Sequence, residues 1–164
     1  MEESVVAESR GESDSPASTF TAWVTYVQPV DSELQRRFPA YVNPGHEGFM
    51  AIGWCKNVSR ENRKVEFQFV HMDREASTDL VFSEMERRGL RPALYEELLG
   101  FALEYPDEQR RNPIVALGSI TFVRTLRRHV AFLTSTDNGR KLDMVWFDGG
   151  WNGDCRFLVV RKDA

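Results

Sequence analysis

Between residues 65 and 105 the hydrophobic pattern of this chain changes period, and that change restricts the fold more than any single motif. Val65-Glu66-Phe67-Gln68-Phe69-Val70 alternates strictly, which predicts a strand with Val65, Phe67 and Phe69 on one face. From Ser77 onward the spacing becomes helical. Ser77 or Thr78 can cap a first helix, Leu80, Val81 and Met85 give it an apolar stripe, and Gly89 sits where a C-terminal glycine belongs. A second helix is predicted to start at Arg91-Pro92, since proline at the first helical position loses no hydrogen bond. Its Leu94, Leu98, Phe101 and Tyr105 recur at i, i+4, i+7 and i+11, Leu99 and Ala102 widen the stripe, and Pro106 stops it.

Strand signals flank this pair. Residues 19–30 are rich in strand formers and are broken by Pro29; residues 31–38 predict a short helix before Pro39. An apolar run follows at 49–55. The final third reads as strands at 114–119, 129–134 and 141–146, with Asp137-Asn138-Gly139 as a hairpin turn, and a last strand at 155–161. Strands, two adjacent helices packed on the sheet, then an antiparallel meander make an α+β domain.

One domain over residues 19–164 accommodates all of this. Residues 1–18 hold five acids against Arg10 and one short apolar patch, too little to offset ordering, so they are expected to form a disordered acidic tail. Removing that tail leaves residues 19–164 formally neutral, which argues against nucleic acid as the main partner. The N-terminus lacks the basic start and apolar core of a secretory signal, and no apolar run approaches a membrane span. With only Cys55 and Cys155, a disulfide scaffold is not expected and a cytoplasmic setting is.

The stretch running from Trp146 to Asp154, Trp146-Phe147-Asp148-Gly149-Gly150-Trp151-Asn152-Gly153-Asp154, is the expected binding surface. Tryptophan offers large area with few rotors, while Asp and Asn give directional hydrogen bonds. Trp146, Phe147, Asp148, Trp151, Asn152 and Asp154 are the candidate contacts, with Asn138 and Arg140 added from the hairpin turn. A second candidate is a basic patch of Arg124, Arg127 and Arg128, which could meet phosphates or an acidic partner.

Gly89-Leu90-Arg91-Pro92-Ala93-Leu94-Tyr95-Glu96-Glu97-Leu98 resembles the Gly-x-Arg-Leu-Pro-Thr-x-x-Glu-Trp segment of C-type-lectin-like domains, with the leucine between Arg and Pro missing. Cys155-Arg156-Phe157-Leu158-Val159-Val160-Arg161 is similar to their terminal Gly-Phe-Arg-x-Val-Arg strand. The branch it looks like includes formylglycine-generating-enzyme-like domains and variable proteins of diversity-generating retroelements. The resemblance covers about residues 65–162, and it extends to small proteins of uncultivated bacteria. It implies a C-type-lectin-like fold whose ligand surface is built from the final strands and their loops.

Three chemistries find no support in the residues. Trp151-Asn152-Gly153-Asp154 resembles a calcium motif of sugar-binding lectins, but a glycine interrupts it and calcium needs about six to eight oxygens. Copper oxidase chemistry needs paired thiolates, and nothing brings Cys55 to Cys155. His46, His71 and His129 share no metal-ligand spacing, and there is no nucleophile elbow, P-loop or dinucleotide fingerprint. The expectation is a non-catalytic binding module for a protein or small ligand, with no cofactor, no metal and no membrane contact. The alternative is a nucleic-acid-associated or regulatory protein acting through the basic patch.

Overall fold

The computed structural model of the protein describes residues 18–44, 48–122 and 126–164. The body of the expected tail, His46 and Arg124 lie outside the described residues. Within them the chain runs β1 (Phe20–Val24), α1 (Asp31–Arg37), β2 (Tyr41–Val42), β3 (Met50–Ala51), a 3-10 turn (Gly53–Cys55), β4 (Arg63–His71) and α2 (Thr78–Arg87). It continues through β5 (Leu90–Pro92), α3 (Tyr95–Glu104), a second 3-10 turn (Glu108–Arg110), β6 (Ile114–Phe122), β7 (Arg128–Thr136), β8 (Gly139–Trp146) and β9 (Arg156–Arg161). This is a mixed α and β fold with one sheet of order β1-β4-β9-β6-β7-β8-β2; β5 pairs with β9 and β3 with β6.

Alternation along the central strands builds two cores. On β9, Leu158 and Val160 join Ala22, Val65, Phe67, Leu98 and Phe101, whereas Phe157 and Val159 join Val81, Met85, Val115 and Leu117. The first core lies under α1 and α3, the second under α2. The two helices expected side by side therefore cover opposite faces of the sheet, and β5 carries the chain between them. As expected, Ser77 Oγ caps α2 by accepting from the Leu80 N–H, and Gly89 takes the left-handed conformation, φ +70°, just past its end.

Helix α3 starts at Tyr95 rather than at Arg91-Pro92. Residues 90–92 instead form β5, a short edge strand against β9 in which the missing proline N–H is tolerated. Two side chains set the later boundary. Ser119 Oγ accepts from the Tyr95 N–H at 2.9 Å, and Glu97 Oε1 accepts from the Leu94 N–H at 2.8 Å. Arg91 holds Glu97 in that position by donating from both terminal nitrogens, each at 2.9 Å, and the Tyr26 hydroxyl donates to the same carboxylate at 2.7 Å. Both charged groups are fully buried. Burial alone would raise the carboxyl pKa, but the Arg91 bonds outweigh it and keep Glu97 below the usual carboxylate range. Beside this pair the chain passes so close to β6 that a Cβ on Gly118 would meet Ala93 O at 2.5 Å.

Strands β6, β7 and β8 form the expected antiparallel meander, but β9 does not extend it. It lies on the other side of β6, parallel to that strand and antiparallel to β4. Residues 147–155 must therefore cross the second face of the sheet, which decides what the terminal loop can expose.

Replacing Glu97 with Gln leaves Arg91 buried without its counter-charge. We expect Glu97→Gln to cost about 3–5 kcal/mol in urea unfolding at neutral pH. Because folding lowers this pKa, the contribution of Glu97 is complete above the ordinary carboxylate value of about 4.3 and is lost as pH falls through the lower folded value. The stability gap between wild type and Glu97→Gln should therefore narrow in acid.

Candidate functional site

Strand β8 alternates like its neighbours. Leu142 and Met144 face the first core, Val145 and then Phe147 the second, and Trp146 emerges at the strand end opposite His129. Trp146 is 41% exposed. Past it, Gly149 and Gly150 turn the chain over the second face. There Trp151 is only 5% exposed, paired to Ala76 by two backbone hydrogen bonds of 2.8 and 3.0 Å. Its indole Nε1 donates to Thr78 Oγ1 at 2.9 Å, and its ring meets Phe157 edge-on with centroids 5.5 Å apart. Thr78 in turn donates to the Phe147 carbonyl at 2.5 Å. The far end of the loop is fastened by His71, whose Nε2 donates to the Gly153 carbonyl at 2.7 Å.

Phe147 and Trp151, expected as ligand contacts, are therefore wall and lid of the second core. Asn152 is exposed, but its Oδ1 accepts from the Asp154 N–H at 2.9 Å and so folds the local turn. Asn152 and exposed Asp154 sit beside the β4–α2 connection, where Gly153 packs on Arg74. Asn138 and Arg140 lie at the opposite end of β8 from Trp146. Arg140 is internal wiring: it donates to the Arg37 carbonyl at 2.9 Å, the Ala102 carbonyl at 2.8 Å and Gln109 Oε1 at 3.3 Å, and stacks over Phe38. Burial lowers its pKa, though a guanidinium stays charged.

What the structure does bring together are the loop and the basic patch, which looked separate in sequence. The Arg127 guanidinium lies 4.6 Å above the Trp146 ring. Arg128 lies 4.6 Å over Phe147 and forms an ion pair with Asp148, its Nε donating to Oδ2 at 3.3 Å. Both partners of that pair are exposed, so it contributes at most about 1 kcal/mol. Leu126, 96% exposed, and half-exposed Phe122 flank the group. Neither was singled out from sequence; an apolar residue set among arginines in a connection was the available signal.

Among the described residues no cluster of three or more His, Cys, Asp or Glu is placed to hold a metal ion. Both cysteines are buried and unpaired with each other. Burial pushes the Cys55 thiol up to about 11, and it also raises that of Cys155. No helix among the described residues is long and apolar enough to cross a membrane.

The two loop tryptophans should separate in mutagenesis. Trp151→Ala empties a packed, hydrogen-bonded site and should cost about 3–5 kcal/mol by denaturant unfolding. Trp146→Ala removes a surface ring and should change stability by no more than about 0.5–1 kcal/mol. Comparison with protein-family models, curated proteins and solved structures found no match to this chain.

Proposed function

We propose that this protein is a non-catalytic binding domain that presents Trp146, Arg127, Arg128 and Asp148 to a protein or small-molecule ligand. The observation that carries the reading is an exposed indole stacked under a guanidinium, with Leu126 projecting beside it. Trp and Arg are the residue types that dominate binding hot spots, and an arginine held by stacking loses less freedom when it binds. The resemblance to C-type-lectin-like domains supports the same reading, because their ligand surfaces use the final strands and loops.

The alternative, a nucleic-acid contact through Arg124, Arg127 and Arg128, draws less support. Asp148 already neutralises Arg128, and residues 19–164 carry no net positive charge to recruit phosphates.

Peptide and glycan arrays probed with the full chain test the proposal. Ligands retained by wild type should lose about 30-fold in affinity in Trp146→Ala, equivalent to a hot-spot loss of about 2 kcal/mol. A ligand bound equally well by a Trp146→Ala, Arg127→Ala double variant would contradict the assignment, and retention on heparin that falls steeply with salt would favour the alternative.

A further inference from the structure

The sequence contains two Asn-Gly steps, Asn138-Gly139 and Asn152-Gly153, and the structure holds them very differently. Such a step is chemically exposed because glycine has no Cβ to shield its backbone nitrogen. That nitrogen can attack the carboxamide carbon of the preceding asparagine, forming a C–N bond that closes a succinimide ring while the side-chain nitrogen leaves as ammonia. Water then opens the ring at one carbonyl or the other, which leaves aspartate or isoaspartate. The reaction consumes water, releases ammonia and needs no oxidant. It does need a solvent-exposed carboxamide that can swing, and a backbone that can close on it.

Asn152 is exposed but meets neither of the last two conditions. Its Oδ1 accepts from the Asp154 N–H at 2.9 Å and from the Cys155 thiol at 3.7 Å, which fixes the carboxamide. His71 Nε2 donates to the Gly153 carbonyl at 2.7 Å, and a Cβ on Gly153 would stand 3.0 Å from the Arg74 nitrogen. Trp151, one residue before, is buried and bridged to Ala76. Ring closure at Asn152 requires that whole junction to open.

Asn138 stands at the tip of the β7–β8 hairpin, where only Asp137 and Asn138 lie between paired Thr136 and Gly139. It is exposed, and its carboxamide makes no hydrogen bond among the described residues; its backbone N–H donates to Thr136 Oγ1 at 3.2 Å. Gly139 takes φ +123° to enter β8. Thr136 and Gly139 form the terminal rung of the ladder, and terminal rungs open at little cost.

We propose that Asn138 is the deamidation site of this protein, and that isoaspartate formed there loosens the start of β8. Isoaspartate inserts an extra methylene into the main chain immediately before Gly139, which already lies so close to Pro39 that a Cβ would stand 3.2 Å from its Cγ. The next residue, Arg140, donates to the Arg37 and Ala102 carbonyls, and its own carbonyl accepts from the Ala40 N–H at 3.1 Å. A longer chain at this point displaces the residue that ties α1 and α3 to β8. Trp146 lies at the opposite end of the strand, so the site is independent of the proposed binding surface.

Incubation of the full chain at mildly alkaline pH, followed by peptide mapping with mass spectrometry, tests the proposal; enzymatic carboxyl methylation distinguishes isoaspartate from aspartate. In the native protein, conversion at Asn138 should exceed that at Asn152 by about tenfold or more, and in urea the two rates should come within about twofold. Isoaspartyl chains separated by ion exchange should unfold at lower urea than Asn138→Asp, which adds the same charge without lengthening the backbone. Native conversion at Asn152 as fast as at Asn138, or none at Asn138 while unfolded chains convert, would overturn the assignment. Isoaspartyl chains as stable as Asn138→Asp would overturn the loosening of β8.

Discussion

The buried Arg91–Glu97 pair is the interaction on which the arrangement of this fold rests. It joins the end of β5, the first turn of α3 and, through Tyr26, the segment leaving β1. Desolvating two charges is expensive, and the cost is met only where each has good geometry and further hydrogen bonds. Here the carboxylate accepts from a guanidinium, a backbone N–H and a phenol, so the pair specifies one geometry rather than adding simple attraction. An apolar pair of equal volume could match it in stability, but it could not fix where α3 begins.

From that boundary follows the layering. With β5 spent on pairing with β9, α2 and α3 are forced to opposite faces, and β9 is enclosed between β4 and β6. The chain reaches β9 only by crossing the second face from the end of β8. Most of the aromatic loop is consumed in that crossing, since Phe147 and Trp151 must close the second core. What is left outside is the end of β8 itself, where Trp146 meets Arg127.

Local features were legible in the sequence where a local cause sets them. The alternation in β4, the Ser77 cap, the helical stripe from Leu98 to Phe101 and the turn at 137–139 all depend on neighbours within a few residues. The misplaced features depend on distant partners. Tyr95 N–H is capped by Ser119, 24 residues away, and the Trp151 indole is received by Thr78, 73 residues away. Arg140 looks like a surface cation by composition and is a tether to the Arg37 carbonyl, 103 residues back. One outward signal was readable and passed over: in the alternation of β1, Trp23 falls on the solvent side.

The division of the terminal loop into a buried and a presented half is the central claim, and tryptophan-selective oxidation of the native chain tests it most directly. With modified sites located by mass spectrometry, Trp146 and Trp23 should react readily while Trp151 stays protected until the protein unfolds. Modification of Trp151 at the same rate as Trp146 under native conditions would contradict the account.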